Sequence, residues 1–289
     1  VKGLLVYHGA STGRWASRGG LNAQNLPRIN PKKPKPTDAL RLSLMAPKGH
    51  RVVVADLSGI ELRVNHFLWK VPSSMALYQA DPDKADLYKD FASMLYGIDK
   101  SEVDKGQRQI GKLAHLGLGF SAGAVTFQRI AKNMGGVDLS LDEARGIVGT
   151  WRAAYAEIAS GWKKSAGALR EAFSGCELPI DPWCHCVTAQ DRIYLPSGRF
   201  INYPALRQEV TDSGKSWVYG EGRHKTFLSG GKVCENLVQA IARDVIAEQA
   251  LEVKKRTGYN PIHMVHDELV YSIPEADAEA HLSIVADVM

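Results

Sequence analysis

The sequence is poor in cysteine, has no long apolar run and carries no strong charge of either sign, and each shortage removes a class of function. Four cysteines in 289 residues, Cys176, Cys184, Cys186 and Cys234, make no secreted disulfide framework in a chain this long, and reduced intracellular thiols are the plainer reading. Cys184, His185 and Cys186 are too closely spaced for an ordinary zinc site, and no second ligand pair lies near them in sequence. No run approaches the ~18 apolar residues of a membrane span, and the N-terminus lacks a signal-peptide pattern. A soluble protein of the cytoplasm, with no membrane partner, is expected. The net charge of +5 tilts the surface towards polyanions, but 36 basic against 31 acidic residues is too small an excess to establish a nucleic-acid partner. No internal repeat is found. What is present is a 45% hydrophobic content, enough for a sizeable core in one large domain or two smaller ones. The chain opens on Val1 and stops at Met289 inside a helical pattern, so a segment of a longer protein is expected.

From Arg51 to Arg63 the chain reads RVVVADLSGIELR. The β-branched run Val52, Val53 and Val54 predicts a strand buried on both faces, ending on Asp56 at the rim of a sheet. Ser58 and Glu61 have capping-box spacing and predict the start of a helix that continues through Leu62, Val64, Phe67 and Leu68. A strand end holds a side chain more rigidly than a loop does, which suits a metal-binding carboxylate.

Ahead of that stretch, Gly3 to Tyr7 reads as a short strand and His8 to Pro27 has loop composition. Within the loop, Thr12-Gly13-Arg14 and Gln24-Asn25-Leu26-Pro27 join a guanidinium to side-chain amides, groups able to donate to base edges or phosphates. By composition alone a solvated loop of turn formers is the favoured reading. Lys32-Lys33-Pro34-Lys35-Pro36 is stiff and extended, and serves equally as a solvated connector or a contact to nucleic-acid backbone.

Beyond it, Asp86 to Tyr96 and Gln107 to Asn133 carry helical periodicity. Arg108, Lys112, Leu116 and Phe120 recur every fourth residue on one face that begins cationic and turns apolar. Two cations about 5–6 Å apart suit two phosphates of one triphosphate, and the apolar end suits a flat base. Taken alone, the pattern better fits a solvated helix end whose other residues pack in a core. Ser140 to Phe173 is again helical, with Trp151, Tyr155, Ile158, Trp162 and Leu169 as packing residues. Ile193 to Ile201 reads as a hairpin turning at Pro196 to Gly198, and Gly220 to Gly231 as a loop. Glu235 to Lys254 is an amphipathic helix ending before Gly258 and Pro261. Between Ile262 and Ile273 two apolar runs flank His266-Asp267-Glu268, predicting a β-hairpin with three polar side chains at its tip. That tip offers Asp56 the second carboxylate it needs to hold a divalent metal.

Together these stretches resemble the polymerase domain of the family A DNA polymerases, the bacterial polymerase I type and especially its phage members. Asp56 to Arg63 is similar to the family's first catalytic motif, Arg108 with Lys112 and Phe120 to its fingers-helix motif, and His266-Asp267-Glu268 to its last catalytic motif. Thr12-Gly13-Arg14 with Gln24-Asn25-Leu26-Pro27 resembles the segment ahead of the first. The resemblance implies an α+β right-hand architecture, an antiparallel palm sheet with inserted helical fingers and most of the thumb absent. Its divisions would be palm over 1–66, fingers over 67–228 and the truncated second part of the palm over 229–289. It implies template-directed addition of deoxynucleotides to a primer 3′-hydroxyl by two-metal phosphoryl transfer, in replication or repair, within a bacterium or a phage-infected cell. Two Mg²⁺ ions are implied at Asp56, Leu57 and Asp267, with Glu268 in support. Catalysis would fall to Asp56, Asp267, Lys112 and Arg108. The incoming nucleotide would meet Arg108, Lys112, Leu116, Phe120, Tyr88 and Glu61, the last crowding the sugar 2′ position. Arg14, Gln24, Asn25, Gln239 and His266 would contact primer–template DNA. Replisome proteins are further partners of unspecified kind.

The sequence departs from the family pattern at three of these positions. Leu116 stands where many members have an aromatic residue, Ser121 replaces a glycine, and Tyr88 occupies the place of a phosphate-contacting histidine. Resemblance around Leu116 and from Gln239 to Asp244 points to phage relatives. Other classes remain open at this stage: a metal-dependent nuclease, a single-subunit RNA polymerase, and a nucleic-acid-binding module without activity. The Arg108 and Lys112 pair argues against the first, and Glu61 separates the second.

Overall fold

The computed structural model describes the whole chain except residues 1–4, 19–21, 27, 28, 30–33, 83 and 213. Val1, Gly3, Pro27, Lys32 and Lys33, named above, lie outside the described residues, so the start of the strand expected from Gly3 to Tyr7 lies outside them too. In chain order a short ribbon comes first, β1 (Leu5–Val6) and β2 (Ala16–Ser17), followed by α1 (Asp38–Leu42) and β3 (His50–Asp56). Seven helices follow: α2 (Ile60–Leu68), α3 (Pro72–Ala80), α4 (Leu87–Tyr96), α5 (Lys105–Leu118), α6 (Ala124–Gly135), α7 (Leu141–Ala154) and α8 (Ala156–Ser174). Six short strands come next, β4 (Val187–Ala189), β5 (Arg192–Tyr194), β6 (Phe200–Asn202), β7 (Arg207–Thr211), β8 (Gly214–Tyr219) and β9 (Thr226–Leu228). The chain closes with the long α9 (Gly230–Thr257), the hairpin β10 (His263–Val265) and β11 (Glu268–Pro274), and α10 (Ala278–Val288). It divides into two compact units, residues 1–60 with 239–289, and residues 61–238, the second inserted in sequence within the first.

The first unit is built on the antiparallel sheet β10-β11-β3. Every second residue of β11, Leu269, Tyr271 and Ile273, is buried, and α10 packs on the sheet through Ala278 and Val285. The predicted burial of β3 on both faces is corrected here. Val53 faces the core at 7% exposure, while Val52 and Val54 remain 45% and 47% exposed. β3 is the edge strand of a sheet whose core lies on one side, so the pleat sends alternate valines outward. The predicted capping box is also displaced. α2 begins at Ile60, so Gly59, at φ 62, precedes the helix and Glu61 is its second residue. The left-handed turn at Gly59 is open to glycine, and it makes the sharp exit from the strand.

The second unit is mainly helical, with two small antiparallel sheets, β4-β5-β6 and β7-β8-β9. Its core holds Phe91, Leu113, Phe127, Trp151, Tyr155 and Ile158, all at or below 1% exposure. The helices start where side chains satisfy their first amides: Asp86 for α4, Asp104 with Gln107 for α5, and Ser140 with Glu143 for α7. Each such cap contributes about 1 kcal/mol. The predicted hairpin with its turn at Pro196 to Gly198 is present as β5 and β6, with Gly198 at φ 79.

Three expected boundaries shift. Gln107 to Asn133 is broken between α5 and α6, with Ser121 at φ 73 in the break, so Phe120 lies past the helix that carries Arg108. Ser140 to Phe173 is broken at Tyr155. Gly220 to Gly231 holds β9 and the start of α9 instead of a continuous loop. Among the described residues no helix is long and apolar enough to cross a membrane.

Candidate active site

In the first unit the sheet brings two acids to one rim. Asp56 is the last residue of β3 and faces Glu268, the first residue of β11. One step further, the Leu57 amide donates to the Asp267 carbonyl oxygen at 3.1 Å. Asp56, Asp267 and Glu268 are therefore neighbours at the ends of adjacent strands, although more than two hundred residues separate the first from the others. The hairpin turn that carries Asp267 consists of His266 and Asp267, since Val265 pairs with Glu268. His266 sits in it at φ 57, a left-handed conformation that histidine adopts more readily than most residues, and its side chain is exposed. Asp56 is exposed and Asp267 and Glu268 are half-buried.

This donor set suits Mg²⁺. Carboxylate oxygens are hard ligands, and Leu57, whose side chain cannot ligate, has its carbonyl oxygen to offer. Among the described residues no group of three or more His, Cys, Asp or Glu forms a ready-made metal cage. One or two carboxylates completed by substrate oxygens and water is the usual way Mg²⁺ is held.

The loops that precede β3 are tied to the same unit. The buried Arg243 of α9 donates through Nε to the Gly13 carbonyl at 3.0 Å, pairs with Asp244 at 3.2 Å, and lies 4.5 Å over the Trp15 ring and 5.3 Å over that of Tyr7. It thus fixes the main chain immediately beside Arg14, which is half-buried. Gln24 donates to the carbonyl oxygens of Trp15 at 3.3 Å and of Met264 in β10 at 3.1 Å. Its amide hydrogens are thereby engaged by main chain, so that here Gln24 anchors the loop to the hairpin strand. Asn25 is exposed, and Gln239 is half-buried on α9. Sequence reasoning missed Arg243, whose one signal is a charged residue within the apolar run of α9.

In the second unit, Arg108 on α5 donates through Nε to Asp86 at 2.8 Å and lies 5.2 Å over the Tyr88 ring. Asp86 also accepts the amides of Tyr88 and Lys89, each at 3.1 Å. Burial works to raise the Asp86 carboxyl, but the Arg108 hydrogen bond and the Lys89 amide outweigh it, leaving the group below the usual carboxylate range. α4 and α5 meet closely because of Gly111, where a Cβ would overlap the Tyr88 carbonyl oxygen. Lys112 is half-buried one turn beyond Arg108, and Leu116 is 46% exposed.

The turn after α5 is pinned as well. The Gly119 carbonyl accepts from Asn65 at 3.2 Å and from Trp162 at 3.0 Å, and Trp69 donates to the Cys234 sulfur at 3.3 Å. Gly231 lets α9 start against this turn, since a Cβ there would overlap the Phe120 carbonyl oxygen. Glu61 is half-buried in the first turn of α2. Asn236 is buried and donates to the Tyr203 hydroxyl at 3.2 Å.

Known proteins share this arrangement of sequence and fold. The DNA polymerase of Bacillus phage SP02 is 29% identical over 96% of this chain and 48% of its own length. DNA polymerase I of Chloroflexus aurantiacus is 33% identical over 97% of this chain and 26% of its own. The chain thus spans about half or less of these curated relatives. Among solved structures, the POL domain of Pol1 from M. smegmatis, in complex with DNA primer-template and dNTP, superposes with a TM-score of 0.66 at 18% identity, covering 98% of this chain and 43% of that one. That likeness is one of fold, an antiparallel sheet unit with a largely helical unit inserted in its sequence. The family model for DNA polymerase family A matches residues 1–172, which take in the strand that ends on Asp56 and the helix that bears Arg108 and Lys112, and the chain belongs to that family.

Proposed function

We propose that this chain is the polymerase domain of a longer enzyme, and that it adds deoxynucleotides to a primer 3′-hydroxyl under the direction of a DNA template, in replication or repair. Residues 1–66 and 229–289 act as palm and residues 67–228 as fingers, bounds that fall within about ten residues of the edges of the two compact units. The observation that carries this reading is the adjacency of Asp56 and Asp267, held at neighbouring strand ends by the Leu57 amide.

Two Mg²⁺ ions bound by these carboxylates would activate the primer 3′-hydroxyl and neutralise charge on the triphosphate and the leaving pyrophosphate. The chain's own work is positioning and electrostatics, which dominate phosphoryl transfer. Asp56 and Asp267 supply negative charge at a fixed place, and Glu268 supports them. Arg108 grips phosphate with the two Nη groups left after its Nε is engaged by Asp86. Lys112 adds a point charge one turn away. Tyr88 backs the Arg108 guanidinium and holds its plane. Leu116 and Phe120 meet the sugar and base, and Glu61 crowds the sugar 2′ position. Arg14, Gln24, Asn25, Gln239 and His266 contact primer–template DNA, and Gln24 also ties its loop to β10.

Primer extension with Mg²⁺ and all four deoxynucleotides tests this reading. The parent protein is expected to extend the primer, and the Asp56→Ala and Asp267→Ala variants are expected to fail. A parent that extends nothing, or variants that extend as well as the parent, would refute it.

A further inference from the structure

On the second unit, the exposed side of α2 carries Arg63 and Phe67 one helical turn apart, and Lys70 follows just past the helix end. Each has an aromatic partner. The Arg63 guanidinium stands 5.1 Å over the Tyr78 ring. Phe67 stacks on Trp183 with centroids 4.8 Å apart and planes 15° from parallel. The Lys70 ammonium lies 4.0 Å from the centre of the same indole, and His185 is within 18° of parallel to it at 6.3 Å. On the same unit the Arg108 guanidinium covers the Tyr88 ring at 5.2 Å. Cations and aromatic rings are therefore interleaved from Arg63 to His185.

Packing does not account for this strip. Phe67 is 52% exposed, His185 is exposed, and Tyr78, Tyr88 and Trp183 are only half-buried. The strip is nevertheless built to hold its shape. Trp183 Nε1 donates to the Phe67 carbonyl at 2.9 Å, and Lys70 Nζ to the Pro182 carbonyl at 3.0 Å. Asp181, which is buried, takes the amides of Trp183, His185 and Cys186 at 2.9, 3.1 and 2.6 Å, and so fixes the loop that presents the indole and the imidazole.

We infer that this strip is a second nucleic-acid surface, one that binds an unpaired strand, with bases stacking on Phe67 and His185 and phosphates meeting Arg63 and Lys70. Aromatic faces between cations are the general means of holding single strands without regard to sequence, since every base has a flat face and every linkage a charge. A lone nucleotide would leave most of the strip bare, and duplex DNA hides the base faces that the aromatic rings would meet.

The test is fluorescence anisotropy with a labelled oligo-dT of about 15 nucleotides, and with a blunt duplex of equal length, without divalent metal or nucleotide. Because neither is present, the result is independent of whether the protein extends primers. Against the parent, Arg63→Ala with Phe67→Ala is expected to weaken oligo-dT binding at least about tenfold and leave duplex binding unchanged. Phe67→Tyr, which keeps a stacking face, is expected to keep full affinity. Should the double variant melt more than about 5 °C lower, His185→Ala replaces it with the same expectations. The inference is overturned if the parent binds no oligo-dT, if the variant binds it as well as the parent, if duplex binding falls equally, or if Phe67→Tyr loses as much as Phe67→Ala.

Discussion

The Leu57 amide and the Asp267 carbonyl oxygen, 3.1 Å apart, extend the β3–β11 ladder by one bond beyond the pair of Asp56 with Glu268. The main-chain bonds that position the two acids do not depend on the charge of their side chains. Asp56→Asn and Asp267→Asn should each reduce primer extension by at least about 10³-fold while melting within a few degrees of the parent. Extension kinetics and thermal melting on the same samples check this. A drop in activity matched by a loss of folded protein would place these residues in the scaffold.

Gly111 allows α5 to touch the main chain of α4 at Tyr88. Gly111→Ala should force the two helices apart and cost about 1–3 kcal/mol, read as a lower urea midpoint. Gly146 is the control, since it lies inside α7 with open space around its Cα, and Gly146→Ala should stabilise by about 0.5–1 kcal/mol. Equal effects at the two glycines would show that the close approach carries no weight.

His115 is buried, with its Nε2 against the Leu87 carbonyl at 3.1 Å. Burial lowers its pKa to about 4, against a smaller upward pull from that carbonyl and from Asp86. Burial and the charge of His115 also hold His66 well below its ordinary value. The unfolded chain therefore binds more protons than the folded one between the ordinary histidine range and about pH 4. Stability is full above about pH 6.5 and is lost as pH falls towards 4, by about 3 kcal/mol for His115 alone. Urea titrations at a series of pH values should show that slope, and His115→Gln should flatten it. A parent whose midpoint does not move across that window would contradict the prediction.

Glu61 lies half-buried in the first turn of α2, on the segment that leaves Asp56. If its side chain crowds the sugar 2′ position, Glu61→Ala should raise ribonucleotide incorporation relative to deoxynucleotide by at least about tenfold. Competing single-nucleotide insertions, with one ribo- and one deoxynucleoside triphosphate of the same base, measure that ratio directly. An unchanged ratio would leave Glu61 with a local role at the helix start.

Much of the candidate site was legible because its signals are local. The acid that follows a β-branched run, the hairpin around His266-Asp267-Glu268, and the helix over Asp86 to Tyr96 all rest on residues close in sequence, and all three elements form. Features that depend on what lies across from a residue were not legible. The valines of β3 read as doubly buried, but the strand proved to be at a sheet edge. Phe120 kept helical spacing, yet the Gly119 carbonyl is engaged by Asn65 and Trp162 and the helix stops before it. The tie between Gln24 and the main chain of β10 was hidden in the same way.

By itself the sequence determined the strand that ends on Asp56, the two hairpins, the broad helical stretches, and which residue types could hold a metal or grip phosphate, because turns and periodicity act within a few residues. Only the tertiary structure decided that Asp56 and Asp267 are neighbours, that Arg243 reaches Gly13, and that Gly111 seats Arg108 beside Asp86 and Tyr88. Those relationships join residues tens to hundreds of positions apart. They are set by strand register and helix contact, which no local pattern encodes.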